Sequence, residues 1–284
     1  MIGFAKRNLK IFFRDRRAVF FSILTIIIII SLYALFLGDV WTGNFSEIKD
    51  AKSLMDHWIM AGILAVTPVT TTLGILGIMV DDKYRGISKD FYSSPVKRRS
   101  IGGGYIVSAF VVGVLMSVIA LVLAEVYIAV SGGVILSLFA VVKIFALILL
   151  SSFTCTAIMS FLVSFFKSHS AYSAAGNIIG TLIGFLTGIY LPVGSLPESV
   201  QYVIKIFPVS HSAALFRQIF LEAPVQSAFA NMPDEYLTRF KEVMGVSYSI
   251  GGHTIEPLMS ILILVATSVV FYGLAIFNMS RKSK

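Results

Sequence analysis

The sequence predicts an all-α integral membrane protein with six transmembrane helices, and three observations carry that prediction. First, the 284 residues are 57% hydrophobic and only 13% charged, with a mean hydropathy of +0.87. Soluble domains carry about 25% charged residues, so a water-soluble fold is the wrong starting point. Second, six apolar stretches are long enough to cross a bilayer, at residues 18–37, 57–80, 101–130, 137–163, 172–191 and 257–279. Third, the basic residues segregate. An even number of spans puts both termini on one side, and placing that side in the cytoplasm gives it 16 of the 23 lysines and arginines, against six outside and Lys143 within the fourth span. That imbalance follows the positive-inside rule and accounts for the net charge of +8 without nucleic acid. Six spans at about 20 residues each leave room for one modest extramembrane piece and for no soluble catalytic domain.

Residues 1–17 form the first element, a basic amphipathic helix. Lys6, Lys10, Arg14 and Arg17 recur at helical spacing on one face, with Ile2, Ala5, Leu9, Phe12 and Phe13 on the other, the pattern of a helix lying along the inner membrane surface. The first span is too long for a signal-peptide core and no small-x-small cleavage site follows it, so it is expected to be retained. Residues 18–191 hold the first five spans, with a cytoplasmic loop at 81–100. The third span, at about 30 residues, exceeds what the hydrocarbon core needs and is expected to tilt or project inward. A very short connection at 131–136 makes the third and fourth spans an antiparallel hairpin. Residues 192–256 form an outer re-entrant and cap segment, with a helix from Asp234 to about Met244 led by Pro233, and a short hairpin turning at Gly251-Gly252. Residues 257–284 supply the sixth span and a cytoplasmic tail.

The sequence lacks the usual catalytic signatures. None of the 22 glycines is followed by lysine, so no P-loop is present. His57, His169, His211 and His253 are scattered without zinc spacing, and no Gly-x-Ser-x-Gly nucleophile turn occurs. The single cysteine, Cys155, sits in an apolar run and forms no intrachain disulfide. No catalytic residue, cofactor site or metal site is assigned to this chain.

What remains is a set of constellations suited to coupling and packing. The loop at 81–99 interleaves both charge signs with aromatic residues. A loop that merely reversed the chain needs neither Phe91 nor Tyr92, and their presence suggests docking into a partner's groove. Its acidic-basic start, then Arg85-Gly86, then Ser94-Pro95-Val96-Lys97-Arg98 before the third span, resembles the loop of ABC-2 type exporter permeases. A second match follows the fifth span, where Pro192, Leu196-Pro197, Pro208 and Arg217 are similar to the family's proline-punctuated outer re-entrant motif. The likeness covers the whole chain and is greatest to the drug and haemolysin exporter branch. The outer insertion at 221–256 is one that the family's polysaccharide exporters usually lack.

The resemblance implies that Arg85, Lys89, Asp90, Phe91 and Tyr92 contact a separate ATPase subunit. It implies two such subunits per complex, ATP and Mg bound there rather than here, and a second permease copy or a related permease beside this one in a bacterial plasma membrane. The implied function is ATP-driven outward movement of an amphiphile such as a drug, a lipid-like molecule or a toxin. Glu125 and Lys143 are expected to pair across the hairpin, as a structural clasp or as a substrate or coupling site. The alternative function, a secondary transporter or channel, would use those two charges. In the fifth span Gly176, Gly180, Gly184 and Gly188 recur every four residues, giving one winding groove about 18 Å long for close helix packing. The resemblance places that groove, with Asn177 beside it, at the seam between two permeases.

Overall fold

A computed structural model describes residues 1–37, 50–230 and 232–281. The chain begins with α1 (Ile2–Arg14), which stops at Asp15. The Asp15 side chain then accepts the backbone N–H groups of Arg17 and Ala18 at 3.1 Å and so caps α2 (Arg16–Leu32), which runs on as a π-helical turn, Tyr33–Leu37. After residue 50 comes α3 (Ala51–Tyr84), then the short α4 (Ile87–Ser93), α5 (Arg98–Val130), α6 (Leu138–Ser164) and α7 (His169–Leu186). A single 3-10 turn, Val193–Ser195, leads into α8 (Glu198–Ile206), α9 (Pro208–Phe220), α10 (Glu222–Ala228) and α11 (Asp234–Val243). A two-residue hairpin, β1 (Ser249–Ile250) with β2 (His253–Thr254), pairs antiparallel around Gly251 and Gly252, and α12 (Pro257–Arg281) follows.

Five helices among the described residues are long and apolar enough to cross a membrane: Arg16–Leu35, Ala51–Tyr84, Arg98–Val130, Leu138–Ser164 and Pro257–Asn278. The chain is a multi-pass, all-α membrane protein. The expected fifth span, 172–191, differs from what the structure shows. Its helix is α7, which starts earlier, at His169, and ends at Leu186, where Thr187 is the C-cap, its N–H donating to the Ile183 carbonyl, and Gly188 turns left-handed at φ 67°. Ser170, Ser173 and Asn177 dilute its first half, so α7 falls outside the five apolar spans. The expected first span lies wholly within the described residues, and the connection after it, 38–49, lies outside them.

The helix at the centre of the molecule is α3. It packs against α5, α6, α9 and α7 and is buried on nearly every side, which its sequence permits because apolar residues run all round it. Its threonines are accommodated within the helix: the hydroxyls of Thr67, Thr71 and Thr72 donate to the carbonyls of Ile63, Thr67 and Pro68 at 2.8, 2.7 and 2.6 Å. The hairpin of α5 and α6 turns through Gly132, at φ 78°, and Ser137 caps α6 by accepting the Ala140 N–H. Between α6 and α12, Thr154 bonds Ser268 at 2.9 Å and Asn278 bonds Ser164, polar contacts of the kind that hold helices together where lipid gives no hydrophobic drive.

Candidate functional site

Two clusters stand at opposite ends of α3. At one end the chain leaves α3 through Arg85 and reverses at Gly86, whose φ of 78° suits glycine at the start of α4. Arg85, just before this seven-residue helix, and Lys89 and Asp90 on it are exposed, and Tyr92 is half exposed with the Arg98 guanidinium 5.2 Å from its ring centre. Phe91 does not join them. Its ring meets Phe4 of α1 edge-on, centroids 5.0 Å apart, and the Arg7 guanidinium lies 4.9 Å from its centre. Successive residues on a helix point about 100° apart, so Phe91 and Tyr92 cannot share one outward face. Of the two expected docking aromatics, Phe91 is partly buried against α1 and Tyr92 is the more exposed.

Arg7 is the residue that the sequence reading passed over. Its two terminal nitrogens grip both oxygens of Asp82 at 2.8 and 2.9 Å, and Tyr105 of α5 donates its hydroxyl to Asp82 Oδ2 at 2.5 Å. Asn8, fully buried, donates to Ser108 of α5 at 3.4 Å. The Asp82 side chain is 5% exposed and that of Arg7 30%, so this is a largely dry, bidentate pair at the edge of the core. The hydrogen bonds that Arg7 donates to Asp82 raise its pKa above its already high ordinary value. Glycines make the approach possible: a Cβ on Gly104 would lie 2.7 Å from Phe4 Cδ1, and one on Gly103 would lie 2.8 Å from Met1 Sδ. The triple glycine 102–104 was the available signal in the sequence. Beside the node, His169 Nδ1 lies 2.8 Å from Asp81 Oδ1 and ties the start of α7 to the same end of α3.

At the other end of α3 stands Arg217, which is 0% exposed. Its Nη2 donates to the Gly188 carbonyl at 2.9 Å, its Nη1 to the Gly245 carbonyl at 3.3 Å, and its guanidinium sits 4.7 Å from the ring centre of Trp58. Trp58 in turn donates its indole N–H to the Met244 carbonyl at 2.7 Å. Burial lowers the Arg217 pKa to about 10, which leaves it charged at neutral pH. The proline motif surrounds this clasp. Pro192 precedes the 3-10 turn, Pro197 caps α8, Pro208 opens α9, and Leu196 packs on the small cluster of Val193, Ile204, Ala214 and Tyr248. Each proline sits where a helix begins and its missing N–H costs nothing.

Two expected arrangements are corrected by the structure. Lys143 and Glu125 do not pair. Lys143 Nζ reaches Glu222 of α10 at 3.4 Å, whereas Glu125 turns back to accept the N–H of Leu136 at 3.1 Å in the hairpin's own connection. Lys143 stands in the second turn of α6, close enough to that helix's end for its long side chain to extend toward α10. The four glycines of α7 do not form one continuous groove either. Gly188 lies beyond the helix, Gly184 is covered by the Tyr190 ring, Gly176 faces Leu73 at ordinary contact distance, and Gly180 has nothing within 4 Å. These surroundings predict different outcomes for the same change. Gly184→Leu must evict Tyr190, while Gly180→Leu is expected to leave the melting temperature of the isolated chain within about 2 °C, since a surface change is worth some ±0.5 kcal/mol. A thermal melt of the two variants in detergent checks the contrast.

The apolar helices, with a charged and aromatic cluster at each end of α3, define the class as a helical multi-pass membrane protein. The ABC-2 family transporter protein model matches residues 42–277, and the chain belongs to that family. Its members are permease subunits of ABC transporters, without catalytic activity of their own, and they work with ABC ATPase partners. No curated protein matches the chain.

Proposed function

We propose that the chain is the membrane subunit of an ATP-driven exporter of amphiphiles, related to the drug and haemolysin exporters, with α4 as the element that an ATPase subunit moves. The observation that carries this reading is the way α4 is mounted. With Arg85 just before it, it offers Lys89, Asp90 and Tyr92 to a partner, and its inner side, through the partly buried Phe91, bears on Phe4 and Arg7, which contact Tyr105 and Asp82. A push on α4 therefore reaches α1, α3 and α5 together. The charge imbalance supports a cytoplasmic position for this end of the bundle and, with six spans, for both termini. Two copies of the chain, or this chain and a related one, would enclose the path, and two ATPase subunits binding ATP and Mg would draw the two α4 segments together.

The exposed face of α7 suits the seam between the copies. Ser170, Ser173, Asn177 and Thr181 line it at steps of three and four residues, and a polar stripe of this kind fits a second protein or a wet path better than lipid. Gly180 lies beside the stripe with open space in front of it. Glu125 and Lys143, the charges that a secondary transporter would use, bond Leu136 and Glu222 rather than each other, which favours the ATP-driven reading.

The test is copurification with a candidate ABC ATPase subunit. Tyr92→Ala is expected to weaken association by about 2 kcal/mol, a typical loss for an interfacial aromatic. Adding Phe91→Ala removes the internal bearing as well and should abolish stimulated hydrolysis. Intact association and intact stimulation in the double variant would refute the assignment of α4.

A further inference from the structure

α1 turns three cations away from the protein. Its inner side buries Ala5, Asn8 and Phe12, with α5 as its main neighbour, and Lys6, Lys10 and Arg14 stand opposite at steps of four residues, all exposed. With Gly3, Arg7 and Ile11 they line a shallow cleft of about 370 Å³. Gly3 leaves its end of the cleft open, since nothing lies within 4 Å of where its Cβ would be. None of the ion pairs among the described residues involves Lys6, Lys10 or Arg14. The acids nearby are already engaged: Asp15 caps α2, and Asp82 holds Arg7.

The height of the cleft follows from the chain. The apolar span begins at Arg16, directly after α1, and Phe20 and Phe21 are 59% and 61% exposed on it. α1 therefore lies where that span enters the bilayer, at the level of the lipid headgroups. Ile2, 80% exposed, and Phe13, 43% exposed, flank the basic stripe with apolar surface suited to the acyl boundary. A soluble protein partner would have to cover these two apolar side chains as well as satisfy three separate cations. A leaflet carrying anionic lipid does both.

We propose that Lys6, Lys10 and Arg14 form a binding surface for the phosphate headgroups of anionic lipids. Three donors at about 6 Å intervals along one face span more than one phosphodiester, so the surface takes a lipid patch rather than a single free ion. A bound headgroup holds α1 against the leaflet, and α1 carries Arg7 and Phe4. On the reading of α4 given above, anionic lipid then sets how firmly the coupling element is seated. Lipid binding itself needs no ATPase and stands apart from that reading.

The experiment uses the full-length chain in mild detergent, titrated with short-chain phosphatidylglycerol or phosphatidylcholine and read by native mass spectrometry. Phosphatidylglycerol is expected to bind more tightly. Lys6→Gln, Lys10→Gln and Arg14→Gln together should weaken it on the order of a hundred-fold, at about five-fold for each basic residue, with phosphatidylcholine unchanged. Lys6→Arg with Lys10→Arg should retain it. If the triple variant does not fold, Lys10→Gln alone should show the roughly five-fold loss. Equal affinity for phosphatidylglycerol in wild type and variant would overturn the proposal. So would full competition by inorganic phosphate, or a triple variant that loses the ATPase while keeping its lipid.

Discussion

Replacing Arg217 with alanine is expected to destabilise the protein by about 3 kcal/mol or more, enough to abolish a monodisperse peak in detergent. The change leaves the Gly188 and Gly245 carbonyls without their donor in a site that is 0% exposed, and it opens a cavity beneath Trp58. An orphaned buried polar group costs about 1–3 kcal/mol, and the cavity adds to that. Arg217→Lys should not rescue, because a single ammonium lacks the planar fork that spans two carbonyls while stacking on an indole. Arg217→Met separates the two contributions. It fills most of the volume and makes no hydrogen bond, so a melting temperature equal to wild type would show that the guanidinium adds nothing.

The second large effect is expected at Arg7. Arg7→Ala strands the Asp82 carboxylate, 5% exposed, with only the Tyr105 hydroxyl as donor. Breaking a buried pair from one side costs about 3–5 kcal/mol, and here the cost falls on the docking of α1. ATPase-stimulated transport should drop on the order of ten-fold, while the ATPase still copurifies through the exposed side of α4. Asp82→Asn should soften the effect of Arg7→Ala, and the double-mutant cycle should return a coupling energy of about 0.5–3 kcal/mol. Unchanged transport by Arg7→Ala, or strictly additive losses, would show that the pair plays no part in coupling.

Apolar run length made most of the helices legible in the sequence, because a chain that spans a bilayer must satisfy its backbone internally and helices do so within one segment. The same signal is weaker at α7, which forms a helix over most of the expected fifth span but is thinned by Ser170, Ser173 and Asn177 and ended before Gly188. Among the expected coupling residues, the charged ones lie on the surface as their chemistry suggests. The spatial roles of the aromatics were not legible, since adjacent letters diverge by about 100° on a helix. Arg7 was read as one more cation on a basic flank. Its partner is 75 residues away, and nothing local distinguishes a lysine-like surface charge from an arginine about to meet a buried carboxylate. Glu125 and Lys143 failed for a related reason: a shared depth does not fix which way two long side chains turn, and each found a nearer partner. Arg217 was picked out from its prolines, but Trp58 and Gly245, which define its seat, come from distant stretches of the chain.

Trp58 and Asp82, the residues through which the two clusters grip α3, belong to one continuous helix and stand roughly 36 Å apart along its axis, at about 1.5 Å per residue. Pro68 lies between them and supplies no N–H to the carbonyl one turn back. A rod gripped at both ends and missing a rung near its middle is a beam with a soft section. Rotation imposed at Asp82 is passed to Trp58 in part and absorbed at Pro68 in part. The stiffness of that section then sets how much of a movement at one face of the membrane reaches the other. Pro68→Ala restores the rung and stiffens the beam. Such a protein would fold at least as well as the original and would lose the independence of its two ends.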